Sequence, residues 1–160
     1  MEKLTLDTGI KEYQINDGVL RFNPADPNVY ARFTEIQSRL SEIERERTDR
    51  LSKINTDDMD GVEIGKIVVE TLRDLDAELK ELLSRTFGGA KEDGANNFDD
   101  ILCGVSMFAF TSTGRQVVEE LMDLLQPIMD EGLNLIAAKK ASAAVKQAEQ
   151  ARAQREAAQE

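Results

Sequence analysis

Apolar residues recur at helical spacing over three long stretches, and this periodicity most restricts how the chain can fold. In the first stretch they fall at alternating steps of four and three: Val29, Phe33, Ile36, Leu40 and Ile43. Residues 62–87 and 117–136 repeat the pattern. Such spacing gathers apolar side chains on one helix face, which water disfavours and packing buries. The sequence therefore predicts a mainly helical protein whose helices pack through these faces.

Local signals place the ends of the first two helices. Asp26 followed by Pro27 is typical of an N-cap and a first helical residue. The apolar stripe that follows predicts a helix of about 27 residues. A second helix is expected to begin near Val62 and to end at Phe87, because the glycines that follow favour helix termination.

The N-terminal region has strand-like alternation instead. Apolar and polar residues alternate over 3–9 and again around Tyr13 and Ile15. Asn16-Asp17-Gly18 is a turn signal, and apolar residues resume up to Phe22. We expect two or three short strands that form a small β-hairpin over about residues 3–22. Since such a hairpin is not stable alone, it must pack on the helices.

The last amphipathic stretch follows a break at Thr111-Ser-Thr-Gly114. Thr113 and Gln116 have the spacing of a capping box, while Pro127 and Gly132 should bend or loosen the helix. After Ala138 the composition changes to Ala, Gln, Lys, Arg and Glu. The expected organisation is α+β: one domain over 1–138 with four or so amphipathic helices and the hairpin, then a polar tail over 139–160 that is helical or disordered.

Charge restricts the classes of partner. The 160-residue chain carries a net charge of −11, which argues against nucleic acid and anionic membranes because both favour clustered Lys and Arg. No run of 18 apolar residues occurs, so a membrane-spanning helix is not expected. The absence of an apolar N-terminal h-region favours the cytoplasm.

Catalytic chemistry is poorly supported. The chain has no histidine, which removes Ser–His and Cys–His pairs. The single cysteine, Cys103, lies in an apolar segment and is expected to be buried and inert. Glu119 and Glu120 are adjacent, but in so acidic a chain a solvated helix face is the better interpretation. The sequence therefore predicts no enzyme.

Two motifs for ions or phosphates also fail. Asp57-Asp-Met-Asp-Gly61 partly matches a calcium loop, but Ile67 stands where a bidentate glutamate is needed. Acidic residues at a helix start are also favoured by the helix dipole. Gly61 to Ile67 resembles a phosphate loop only loosely, since its glycine spacing is one residue short. We expect no metal and no cofactor.

The segment Val105-Ser-Met-Phe-Ala-Phe110 supports two interpretations. Such a run is typical of the buried centre of a helical domain, but flexible methionines and aromatic rings also form adaptable surfaces for a partner helix. The candidate partner-binding residues lie in this segment and on the last helix: Val105, Met107, Phe108, Phe110, Met122 and Met129.

Several motifs occur in a characteristic order. Leu4-Thr-Leu-Asp-Thr-Gly9 leads to Tyr13-Gln-Ile-Asn16 and Phe22-Asn-Pro24, then a long charged helix, Phe87-Gly88 and Asn97-Phe-Asp-Asp-Ile101. In this order of features, most of residues 1–137 resembles tail assembly chaperones of long-tailed phages and prophages of Gram-positive bacteria. The tail over 139–160 lies outside the resemblance.

The resemblance implies a non-catalytic role. Such chaperones bind the tape measure protein, keep its long helices soluble in the host cytoplasm, assist tail tube assembly and are absent from the finished particle. Self-association is compatible with this role. Two alternatives stay open: a structural tail or connector protein of the virion, and a cytoplasmic coiled-coil adaptor that uses the apolar seam of residues 29–54.

Overall fold

The computed structural model describes residues 1–53, 60–88 and 96–159. In this part of the chain two strands precede four helices: β1 (Lys11–Ile15), β2 (Gly18–Phe22), α1 (Pro27–Ser52), α2 (Gly61–Gly88), α3 (Phe98–Ile101) and α4 (Val117–Ala158). The expected mainly helical α+β fold with a small N-terminal hairpin is confirmed.

The hairpin is antiparallel, with Lys11 opposite Phe22 and Ile15 opposite Gly18. Asn16 turns the chain with a φ of 52°, a left-handed conformation that asparagine tolerates better than most residues. Residues 3–9 were expected to contribute a strand, and this was wrong. They are exposed and have no regular secondary structure, because no neighbouring strand pairs with them.

Helix α1 begins where the sequence predicts. The side chain of Asp26 accepts a hydrogen bond from the backbone N–H of Asn28 at 2.9 Å, and Pro27 is the first helical residue. The helix has 26 residues, close to the predicted length. Its buried residues include Val29, Phe33 and Ile43, which belong to the predicted stripe.

Helix α2 also begins and ends close to the positions that the sequence predicts. The Asp60 carboxylate accepts a hydrogen bond from the Glu63 N–H at 2.8 Å, which is the acidic N-terminal cap expected there. Residues 61–67 are helical, so they form no phosphate loop. The other acidic residues of that cluster, Asp57 and Asp58, lie outside the described residues. The helix ends at Gly88, one residue after Phe87.

Phe87 connects three elements of the core. Its ring centroid lies 4.7 Å from that of Phe22 on β2, 6.2 Å from Phe33 on α1 and 5.8 Å from Phe98 on α3. Tilted and edge-on rings at such distances attract each other in addition to burying apolar surface. One cluster of buried side chains thus joins the hairpin to all four helices of the described chain.

After α3 the chain reverses direction at Cys103 and Gly104. The N–H of Cys103 bonds the Asp100 carbonyl at 3.0 Å, and the N–H of Gly104 bonds the Asp99 carbonyl at 2.8 Å. Both residues have positive φ, 54° and 76°. The prediction of a buried Cys103 was wrong, because this tight reversal leaves its thiol exposed.

Helix α4 is capped differently from the prediction. Its N-cap is Gln116, whose N–H donates to the Glu119 carboxylate at 2.8 Å in a reciprocal capping box. Thr113 is not the cap. Its hydroxyl instead donates to the Glu120 carboxylate at 2.7 Å, and Thr111 adds a second such bond. These hydrogen bonds, that from Thr113 first, lower the pKa of Glu120.

Helix α4 continues through Pro127 and Gly132 as one 42-residue helix. Gly132 is its last buried residue and Ile136 its last half-buried one, so residues 137–158 form a fully exposed helix. The tail is therefore helical, one of the two forms expected. Within the described ranges no helix combines the length and apolar character needed to cross a membrane.

Candidate partner-binding surface

Backbone hydrogen bonds hold the segment between α3 and α4 against the body. The Met107 carbonyl accepts from the Val118 N–H at 2.9 Å, and the Ala109 carbonyl accepts from the Val117 N–H at 3.0 Å. On the other side, the Met107 N–H donates to the Asp76 carboxylate of α2 at 2.7 Å. The segment is therefore tied to α2 and to the start of α4 at the same point.

The structure divides the six candidate partner-binding residues. Met107, Phe108 and Met129 are buried in the core, and Met122 is half-buried against it. Val105 and Phe110 are exposed, and Phe110 keeps 75 % of its surface accessible. The three buried residues cannot contact a partner in this fold, so the core interpretation holds for them. A partner-binding role for the other three stays a prediction.

Beneath this segment, Lys80 pairs with the largely buried carboxylate of Asp76 and with Asp99, whose side chain is 61 % exposed. The Lys80 ammonium lies 3.0 Å from the Asp76 carboxylate and 2.6 Å from that of Asp99, and Lys80 is only 6 % exposed. Burial acts to lower the pKa of Lys80, but the hydrogen bonds that its ammonium donates to Asp99 and Asp76 outweigh burial and raise the pKa. The lysine therefore stays charged and joins α2 to α3.

Above this ion pair runs an open groove of about 1010 Å³, which we call the α2 groove. One wall is the face of α2 between Val69 and Ser84, and the other is the chain from Asn96 to Ala109. The α2 wall extends for roughly 22 Å, the length of about four helical turns. Its surface mixes apolar groups with charges of both signs: Val69, Leu72, Arg73, Ala77, Glu81 and Phe108.

A smaller depression of about 350 Å³ lies between α1 and α4. Leu40 and Met122 supply its apolar surface. Arg115, which lies 2.6 Å from the Asp123 carboxylate, contributes to its charged rim. Met122 is thus the one candidate residue on α4 that reaches an open concave surface in the described chain.

Several exposed apolar side chains on α4 are not among the candidate partner-binding residues that the sequence suggested. Leu124 and Leu135 lie on the same face of α4, about three helical turns apart. Both are exposed, as are Leu133 and Val145. The sequence feature that could have indicated these exposed residues is the width of the apolar arc over 117–136. This arc is wider than the stripe that a single packing face needs.

The described residues contain no group of three or more side chains placed to hold a metal ion. The expectations of no enzyme and no cofactor remain predictions from the sequence. Comparison with protein-family models, with curated proteins and with solved structures finds no match to this chain.

Proposed function

We propose that this protein is a non-catalytic phage tail assembly chaperone, which binds the tape measure protein in the host cytoplasm and keeps it soluble until the tail tube forms around it. The observation that carries the proposal is the α2 groove, an open surface with the length of a short helix. The order of sequence motifs from Leu4 to Ile101 supports the identity of the client.

The shape of the α2 groove suits an amphipathic helix. Val69 and Leu72 would contact the apolar stripe of the client, while Arg73 and Glu81 would meet its polar flanks. In helix-in-groove binding, apolar anchors at successive turns supply affinity, and rim charges set orientation. A groove with both kinds of group accepts many related helices, as a client with a long helical repeat requires.

Charge supports the same role. Residues 139–160 carry +2, so residues 1–138 carry −13. A body of this charge keeps a complex with an apolar client soluble and attracts basic client segments. Long-range attraction of this kind weakens as salt rises, because the Debye length shortens.

The test is co-expression of the full chain with the tape measure protein encoded in the same genome. We expect the tape measure protein to be insoluble alone and to stay soluble, and to co-purify, when the chain is present. A tape measure protein with unchanged solubility would contradict the proposal.

Mass spectrometry of purified particles separates the proposal from its main alternative. A chaperone should be missing from the particles, whereas a structural tail or connector protein would be present in stoichiometric amounts. A coiled-coil adaptor unrelated to phage would neither enter the particles nor alter the solubility of the tape measure protein.

A further inference from the structure

The first eight residues form an exposed arm that starts from a fixed point. The Asn23 side-chain amide donates to the Thr8 carbonyl at 3.0 Å, and the Gly9 N–H donates to the Asp7 carboxylate at 2.8 Å. Beyond this anchor, Leu4 and Leu6 are 91 % and 83 % exposed. Two leucines at alternate positions of an extended chain would face one side of a sheet.

The hairpin has one edge occupied and one edge open. Its two-residue turn makes Ile15 and Gly18 a hydrogen-bonded pair, so the N–H and C=O groups of Glu12, Gln14 and Arg21 point outward. Asn96 covers the β2 edge, because its side chain accepts from the Arg21 N–H and donates to the Arg21 carbonyl, both at 2.7 Å. On the β1 edge, no group of the described residues bonds the backbone of Glu12 or Gln14.

We propose that the arm of one copy adds as a third strand to the β1 edge of a second copy, and that the exchange is mutual. Each copy offers one unpaired strand and one unpaired edge, so a two-fold pair satisfies both. The anchor at Asn23, the residue that follows β2, holds Thr8 beyond the paired part of the hairpin.

The surroundings of the β1 edge fit the arm. Leu4 and Leu6 would lie on the face of the half-buried Tyr13. Lys3 and Thr5 would lie on the opposite face with Glu12 and Gln14. There the Lys3 cation would approach the Glu12 carboxylate, which also pairs with Arg21 at 2.9 Å. A sheet edge covered in this way is also protected from pairing with unrelated strands.

The first test is sedimentation velocity of the full chain. We expect a dimer for the wild type, and dimerisation weakened about tenfold or more by the double substitution Leu4→Asp/Leu6→Asp. The control Val145→Asp changes an exposed apolar residue on the distant tail and should leave the dimer intact. A monomeric wild type, or a dimer lost only with Val145→Asp, would overturn the proposal.

Disulfide trapping identifies the contact itself. In a Cys103→Ser background, one chain carries Thr5→Cys and another carries Glu12→Cys. After mixing and mild oxidation, a disulfide between the two different chains is expected. If a chain carrying both cysteines instead closes on itself and the mixture gives no cross-link, the arm pairs with its own hairpin and the exchange is wrong.

Discussion

A Cβ atom added to Gly132 would lie 1.8 Å from the carbonyl oxygen of Pro24. Helix α4 therefore touches the backbone of the link between β2 and α1, and only glycine permits that approach. The sequence suggested that Gly132 loosens the helix. In the structure it is instead a point where α4 packs closely on the backbone of Pro24.

The first prediction compares two glycines that both lie inside helices. Gly132→Ala should lower the free energy of unfolding by about 2 kcal/mol or more, because α4 must move away from Pro24. Gly65→Ala, whose added Cβ meets nothing within 4 Å, should raise it by about 0.5–1 kcal/mol through helix propensity. Urea denaturation of both variants measures the difference. Equal effects would mean that α4 does not pack at Gly132.

The second prediction concerns the buried ion pair. Lys80→Met should cost about 3 kcal/mol of stability, because it leaves the largely buried carboxylate of Asp76 without its cation. The control is Arg85→Met, which removes an exposed pair with Glu81 on the same helix and should cost less than about 1 kcal/mol. Thermal and urea unfolding of both variants would show whether the buried ion pair contributes more to stability than the exposed one.

The same lysine makes a pH prediction. The pKa of Lys80 in the folded chain is raised above its ordinary value of 10.5, so the folded state holds this proton more tightly than the unfolded state does. Its contribution to stability is complete below pH 10.5 and declines as the pH rises through the folded pKa. The stability difference between wild type and Lys80→Met should therefore shrink above that pH. A stability difference that grows with pH would contradict the predicted direction of the pKa shift of Lys80.

The fourth prediction separates core from surface within one segment. Met107→Asp should unfold the chain or cost about 4 kcal/mol, because it places a charge in the core. Phe110→Asp, three residues later, should change stability by less than about 0.5 kcal/mol, because the ring is already in water. Circular dichroism melts compare the two variants. A Met107→Asp chain as stable as the wild type would show that the segment is not core.

Local signals predicted the elements that local interactions determine. The Asp26 cap, the turn at Asn16 and the end of α2 beside Phe87 each depend on residues close in sequence, and all three lie at or within one residue of the predicted position. The hydrophobic spacing of α1 likewise identified its buried face, since a continuous helix converts spacing directly into geometry.

Contacts between residues far apart in the sequence determine the features that the sequence did not predict. Asp76 fixes the backbone of Met107 across 31 positions, which determines which side chains of the 105–110 segment turn inward. Asn96 covers the β2 edge across 75 positions. Neither contact leaves a periodic signal. The candidate surface was therefore only partly predictable. Phe110 is exposed, as a partner-binding residue must be, whereas Met107 is buried.

The most direct test of the central claim uses two valines on α2. Val69 lines the α2 groove and is 64 % exposed, whereas Val62 lies outside it on the same helix and is 68 % exposed. Both Val69→Asp and Val62→Asp should fold normally. If the α2 groove binds the tape measure protein, Val69→Asp should reduce its co-purification about tenfold or more, while Val62→Asp leaves it unchanged. Equal co-purification with the two variants would contradict the account.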